Sequence, residues 1–253
     1  MSGKSTRKRL DVLLVERGLA ESRQKAQAMI LAGEIEVDGR KVEKAGVNVA
    51  DSVRIEVHSR LQKYASRGGF KLEGALEDFH VSVAGRICLD VGASTGGFTD
   101  CLLQNGATRV YAVDVNTDQL AWKLRDDPRV ARIKKNAREL TAADLAEEAE
   151  LVVADVSFIS VKKILPGAYA CAANAADFLI LIKPQFELQR EDVGKGGIVR
   201  DPKLHEVAVQ SVRDAAITLG LSVLGVLPSR LPGAEGNQEY FLHARKPPKV
   251  ESQ

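Results

Sequence analysis

Four charged residues each close an apolar run in this chain. Asp90 follows Ile87-Cys88-Leu89, Asp114 follows Arg109-Val110-Tyr111-Ala112-Val113, Asp155 follows Leu151-Val152-Val153-Ala154, and Lys183 follows Phe178 to Ile182. Short apolar runs of this kind read as buried parallel strands. Ligands of an open α/β sheet sit beyond the carboxyl ends of its strands. Carboxylates placed there can hold ribose hydroxyls, and an amine placed there can manage a proton. A charge at a strand end often does no more than meet solvent, but four in succession favour a site. The first run opens directly into a glycine turn, RICLDVGASTGGFTD over residues 86–100. Strand, glycine turn and helix together bring a backbone close to a nucleotide-like ligand. The expectation is that Gly92, Gly96 and Gly97 are needed because a side chain would collide with the ligand or forbid the bend. Glycines kept for chain packing alone are the competing reading. Asp114 lies 22 positions past Gly92, where a ribose-binding carboxylate belongs. Position 94 is Ser, so the loop is not G-x-G-x-x-G, which disfavours a dinucleotide oxidoreductase.

These residues need a scaffold. Alternating strand and helix patterns over residues 86–227 predict an α/β fold, a Rossmann-like, mostly parallel sheet covered on both faces. Arg132-Ile133 closes a third strand, with Asn136 after it where a side chain can meet an adenine. Residues 187–201 are polar and glycine-rich and are expected to form a mobile loop over the site. Asp201-Pro202 starts a helix that runs to Gly220. Residues 221–227 and 239–242 form an antiparallel hairpin at the sheet edge. Phe70 to Phe79 has helical spacing and carries Lys71 at its start; the local pattern gives that lysine no role.

The 253-residue chain is long enough for a sizeable α/β domain and a small one. Its net charge of +2 hides an asymmetry. Residues 1–71 hold 15 basic and 9 acidic residues, a net of +6, whereas the rest hold 21 and 25. A basic front end on an acidic body points to an anionic partner. Helices over 10–19 and 23–32 precede an alternating strand at 34–37, an Asp38-Gly39 hairpin turn and a strand at 53–57, so the front end is a small α+β module. Arg7, Lys8, Arg9, Arg23, Lys25, Arg40 and Lys41 fall at its helix starts and hairpin tip, where they can meet phosphates. A solvated basic face is the plainer alternative. Cys88, Cys101 and Cys171 have no metal-ligand spacing and are expected to be buried free thiols, in keeping with a reducing cytoplasm. No metal is expected, and no apolar run is long enough to cross a bilayer.

The order of elements adds a resemblance. RLDVLLVERGLAESRQKAQAMILAGEIEVDGRKV resembles the RNA-binding domain named after ribosomal protein S-four, and implies recognition of structured RNA by shape and phosphate contact. DVGASTGGFT resembles the S-adenosylmethionine (SAM) loop of ribose methyltransferases. It implies cofactor contacts at Asp90, Gly92, Ala93, Ser94, Thr95, Gly96, Gly97, Phe98, Asp114, Asn136 and Asp155. Residues 86–243 resemble the FtsJ-like ribose 2'-O-methyltransferases, whose mark is a Lys-Asp-Lys-Glu tetrad. The matching positions are Lys71 in GGFKLEGAL, Asp155 in ADVSFIS, Lys183 in LIKPQFE and Glu239 in GNQEYF. Two lysines and two carboxylates around one hydroxyl make chemical sense, because an alcohol is a poor nucleophile that must be aligned and deprotonated. The whole chain resembles the TlyA family of ribosomal RNA methyltransferases, historically called haemolysins. That resemblance implies 2'-O-methylation of cytidine in ribosomal RNA, Lys183 as the base, and ribosomal subunits as partners. The expected domains are 1–59 (RNA-binding, through Arg7, Lys8, Arg23, Lys25 and Lys41), a 60–69 linker whose Arg60 and Arg67 also touch RNA, 70–246 (methyltransferase), and a disordered tail at 247–253. A membrane-lytic protein and an RNA-binding protein with an inactive enzyme domain are the readings from other classes.

Overall fold

The computed structural model describes residues 7–20, 22–31, 33–57, 63–233 and 236–248. The expectations for Arg60 and for the 249–253 end of the tail fall outside them. The chain divides into two compact units, 1–63 and 64–253.

The first unit starts with β1 (Arg7–Arg9), α1 (Leu10–Glu16) and α2 (Arg23–Leu31). It continues with β2 (Ile35–Val37), β3 (Arg40–Lys41), β4 (Asn48–Ala50) and β5 (Ile55–Val57). Leu10, Leu13 and Leu14 share a face of α1 and pack with Ala26, Met29 and Ile30 of α2, and Ile35, Val37 and Val49 complete this small core. Strand β2 lies between β3 and β5, and β1 pairs with β4, a pairing that the sequence pattern does not reveal. Asp38 and Gly39 both adopt positive φ, 50° and 76°, as a two-residue hairpin turn of the primed type requires.

The second unit opens before its first strand. Tyr64 is fully buried, and its hydroxyl donates to Glu73. The backbone N–H of Ala65 donates to Asp100, and Ser66 caps α3 (Arg67–Asp78) by accepting from the N–H of Gly68. Residues 64–69, expected as linker, are therefore packed into the second unit, and α3 begins three residues earlier than its apolar spacing indicates. Serine is a strong N-cap, whereas the following glycines hide the periodicity.

Next come β6 (Ile87–Val91), α4 (Gly97–Gln104), β7 (Arg109–Asp114), α5 (Trp122–Arg125), β8 (Val130–Lys134) and β9 (Ala149–Ala154). Then follow α6 (Leu165–Ala170), β10 (Ala172–Ile182), α7 (Pro184–Glu187), α8 (Pro202–Thr218), β11 (Ser222–Pro228) and β12 (Tyr240–Arg245). The seven strands lie in the order β11-β12-β10-β9-β6-β7-β8, and β12 is antiparallel to both its neighbours. Apolar layers cover both faces of the sheet. The expected edge hairpin is present, with β11 outermost. From β6 the chain runs outward through β7 and β8, then returns to place β9 on the other side of β6. The switch point lies between β6 and β9, and a crevice opens there beyond their carboxyl ends. Among the described residues, no helix is long and apolar enough to cross a membrane.

Candidate active site

Two cavities meet at that crevice. One, of about 300 Å³, is lined by Arg67, Gly68 and Lys71 of α3, by the β6–α4 loop, by Asp155, Ser157 and Lys183, and by Pro232 and Gly233. The other, of about 500 Å³, runs along Asp114, Val115, Asn136, Val156 and Ile159. Gly92, Ser94, Asp155 and Ser157 belong to both, so the two form one groove.

The tetrad positions come together as two ion pairs. Lys71 Nζ lies 2.5 Å from Glu239 Oε2, and both side chains are almost wholly buried. Lys183 Nζ lies 2.5 Å from Asp155 Oδ1 and donates to Ser157 Oγ at 2.8 Å. Burying a charge demands a partner, and each lysine has one. Lys71 lies toward the start of α3 and Glu239 just before β12, 168 positions apart, so sequence spacing gives no hint of the pair. Ser157 is a site residue that the sequence reading does not single out. The available signal is its place two residues beyond a strand-end Asp.

The candidate cofactor residues separate into four groups. Ala93, Thr95, Gly97 and Phe98 line the smaller cavity, Asp114 and Asn136 line the larger, and Gly92, Ser94 and Asp155 line both. Asp114 Oδ2 accepts from the N–H of Ser94, and Oδ1 accepts from the N–H of Asn116. Each oxygen keeps a lone pair for a diol. Gly96 and Asp90 line neither cavity. Asp90 is fully buried beneath the loop, where Thr99 Oγ1 donates to Oδ2 at 2.6 Å and Oδ1 has no hydrogen-bond partner among the described residues.

The glycines are required by the fold around them. A Cβ on Gly92 would come within 2.4 Å of the Asp155 carbonyl oxygen, and one on Gly96 within 2.2 Å of Leu124 Cδ1. On Gly97 it would come within 2.1 Å of Ser66 Oγ. At all three positions the nearest obstacle is the protein itself, and Gly92 and Gly96 also take the positive φ, 87° and 92°, that the bend requires. The 187–201 segment, expected over the site, has no described side chain lining either cavity. Its end is held by Asn237, which donates to the Gly197 carbonyl and accepts from the N–H of Val199.

Burial pushes the Asp90 carboxyl up to about 7, against the opposing Thr99 hydrogen bond. An ordinary Asp in the unfolded chain ionises near 4. Between those values the unfolded chain gives up a proton that the folded one retains, so this group lowers stability as pH rises from about 4 to 7. Asp90→Asn is therefore expected to gain on the parent with rising pH. A proton held one pH unit longer in the folded state corresponds to ~1.4 kcal/mol, so the gain at pH 8 is on the order of a few kcal/mol. Urea midpoints of both proteins at pH 5 and pH 8 check this; equal differences at the two pH values refute it.

In the first unit the candidate RNA contacts are less uniform than their charges imply. Lys8 pairs with Glu16 at 2.7 Å, and Lys41 lies 3.7 Å from Glu43. Arg9, Arg23 and Gln27 all donate to Asp11, which is fully buried and whose carboxyl they hold well below the usual range. Arg23 thus serves the core with one edge while its side chain stays 57% exposed. Arg7 reaches the Asn48 carbonyl, whereas Lys25 and Arg40 have no acidic partner among the described residues. In the second unit Arg67 stands at the mouth of the smaller cavity, also without an acidic partner among them. The three cysteines are buried free thiols, as expected, and no described His/Cys/Asp/Glu cluster could hold a metal.

Residues 64–246 match the family described as FtsJ-like methyltransferase, and residues 8–55 match the S4 domain. The chain is 48% identical to the "16S/23S rRNA (cytidine-2'-O)-methyltransferase TlyA" of Mycobacterium tuberculosis over 94% of its own length and 90% of that protein. It is 46% identical to "Hemolysin A" of Brachyspira hyodysenteriae, over 93% and 98%. A solved structure described as "Putative hemolysin from Streptococcus thermophilus" superposes with a TM-score of 0.76 at 40% identity, covering 96% of this chain and 90% of the other.

Proposed function

Because the chain belongs to the FtsJ-like methyltransferase family and carries an S4 domain in front, we propose that it methylates the ribose 2'-hydroxyl of cytidine in ribosomal RNA. The observation that carries this reading is the meeting of two lysine–carboxylate pairs in a groove whose other half presents Asp114.

The donor is SAM, which supplies an electrophilic methyl group. Asp114 would hold the ribose of its adenosine, Asn136, Val115 and Ile159 of the larger cavity would flank the adenine, and Gly92, Ala93, Ser94, Thr95, Gly97 and Phe98 would line the remainder. The acceptor lone pairs left on Asp114 and the groove continuing past Ser94 to the tetrad fit a nucleoside with an extended tail. Lys183 takes the proton of the attacking 2'-hydroxyl. Its contact with Asp155 gives the amine a place to leave one proton before it takes another, and Ser157 fixes its direction. Lys71, held by the buried Glu239, lines the same cavity and holds the acceptor in line. Arg67, and the basic residues of the S-four-like module, bind RNA phosphates.

The test is transfer of labelled methyl from SAM to small subunits, large subunits and free ribosomal RNA, offered separately. The label is expected in a dinucleotide that survives alkaline hydrolysis, because a 2'-O-methyl group removes the attacking hydroxyl, and its 5' nucleoside is expected to be cytidine. Label on a base, or no transfer to any of the three, overturns the proposal.

A further inference from the structure

The elements bearing Lys71 and Glu239 meet a second time. Arg230, on the connection between β11 and β12, grips the last turn of α3. Its Nε lies 3.2 and 3.1 Å from the two carboxylate oxygens of Asp78, and its Nη2 lies 2.6 Å from Asp78 Oδ1. Nη1 reaches Glu77 Oε2 at 2.5 Å. Lys71 is seven residues back along the same helix, about 10 Å at 1.5 Å per residue. Glycines shape this path on both sides. A Cβ on Gly74 would lie 2.9 Å from Arg230 Cδ, so the bare backbone lets the arginine stem cross the helix. A Cβ on Gly233 would lie 2.1 Å from Glu239 Oε1, so that backbone is packed against the tetrad carboxylate. Gly233 donates to the Asn237 carbonyl at 2.8 Å, and the Ser229 N–H donates to the carbonyl of Glu239 itself at 2.8 Å. Pro232 and Gly233 also line the smaller cavity, facing Arg67 and Lys71. Arg230 therefore anchors a connection that backs Glu239 on one side and walls the acceptor cavity on the other.

We infer that Arg230 is a positioning residue for methyl transfer, setting the Glu239–Lys71 pair and the cavity wall through its grip on Glu77 and Asp78. The inference rests on the methyltransferase reading above. Arg230 lines the outer cleft with Phe70 and Leu231 but not the smaller cavity, and it makes no contact with the tetrad. Its side chain and that of Glu77 are about half exposed. Exposed ion pairs contribute little to folding stability, so the role of this one is geometric. A planar guanidinium engaged by two carboxylates fixes direction as well as distance, which a lysine in its place does not.

The test uses the full chain with labelled SAM and ribosomal subunits. Arg230→Ala, Asp78→Asn and the double variant are compared under saturating and limiting substrate. Each single variant is expected to lose about tenfold or more in kcat, in line with the cost of a small misplacement. KM for RNA, affinity for SAM and thermal midpoint stay close to the parent. The double variant is expected to lose no more than the worse single one, because both changes cut one contact. Arg230→Lys is expected to recover only part of kcat. Parental kcat in Arg230→Ala, or losses that multiply in the double variant, overturns the inference. If Arg230→Ala fails to fold, Asp78→Asn and Arg230→Lys decide on the same criteria. Lys183→Arg is run alongside. If that protein is active while Arg230→Ala is impaired, the assigned base is at fault and the positioning role stands.

Discussion

Lys183→Arg and Lys183→Ala are both expected to reduce methyl transfer by ~10²- to 10⁴-fold, the range that a lost general base commands. The arginine variant is the sharper of the two. It keeps a cation beside Asp155 and Ser157, so the charge pattern of the groove survives, but a guanidinium does not give up its proton in a protein. Alanine instead leaves Asp155 without its ion-pair partner, and any loss then mixes proton transfer with a disturbed carboxylate. SAM binding, followed by calorimetry, is expected to persist in the arginine variant, because Lys183 lines the smaller cavity but not the one flanked by Asp114 and Asn136. Methylation at the parental rate by Lys183→Arg would show that Lys183 only positions the acceptor, leaving proton removal to water or to Asp155.

Gly92→Ala carries the second large effect, for a reason unlike the usual one for a glycine loop. Gly92 has φ of 87°, where a Cβ costs roughly 1–2 kcal/mol. The added carbon would also come 2.4 Å from the carbonyl oxygen of Asp155, a backbone atom that moves only with its strand end. The two penalties together amount to ~2–4 kcal/mol, or a thermal midpoint lower by about 5–10 °C for a unit of this size. That loss is expected in protein free of SAM, because the obstacle is the chain itself. A second loss, in activity, follows from displacing Asp155. A glycine kept only for ligand clearance would leave the cofactor-free midpoint unchanged, so one melting experiment separates the two physical reasons.

This distinction marks what the sequence shows and what it hides. The strand ends at Asp90, Asp114, Asp155 and Lys183 are legible because a buried strand must be apolar and its exit need not be. Asp201 as a helix cap before Pro202, and the Asp38-Gly39 turn, are legible because one residue's backbone preference suffices. Residues 64–69 are not legible as a helix entry. What holds them is long-range, Tyr64 under α3 and Ala65 on Asp100, and none of it leaves a local period. Asp90 reads as a site residue from its position, yet it lies within β6 and is sealed beneath the loop, because the pattern fixes which strand carries it and not how deep it lies. Lys71 is silent for a like reason. An ammonium one residue off an apolar face is ordinary on a surface helix, and it becomes notable only once Glu239 closes over it. The acidic partners of Lys8 and Arg23 are likewise invisible in a count of charges.

The placement of β12 has a consequence for the order in which this enzyme comes into being. The last strand of the sheet to leave the ribosome does not sit at the rim but between β10 and β11. Until it arrives, β11 has no neighbour to join and the edge of β10 stays open, while Lys71, made some 168 residues earlier, lacks the carboxylate that permits its burial. Strands β6 to β10 can already have paired, but the half-made chain carries no finished tetrad. Glu239 is thus the last of the four to arrive, and until it does Lys71 lacks the partner that its burial demands.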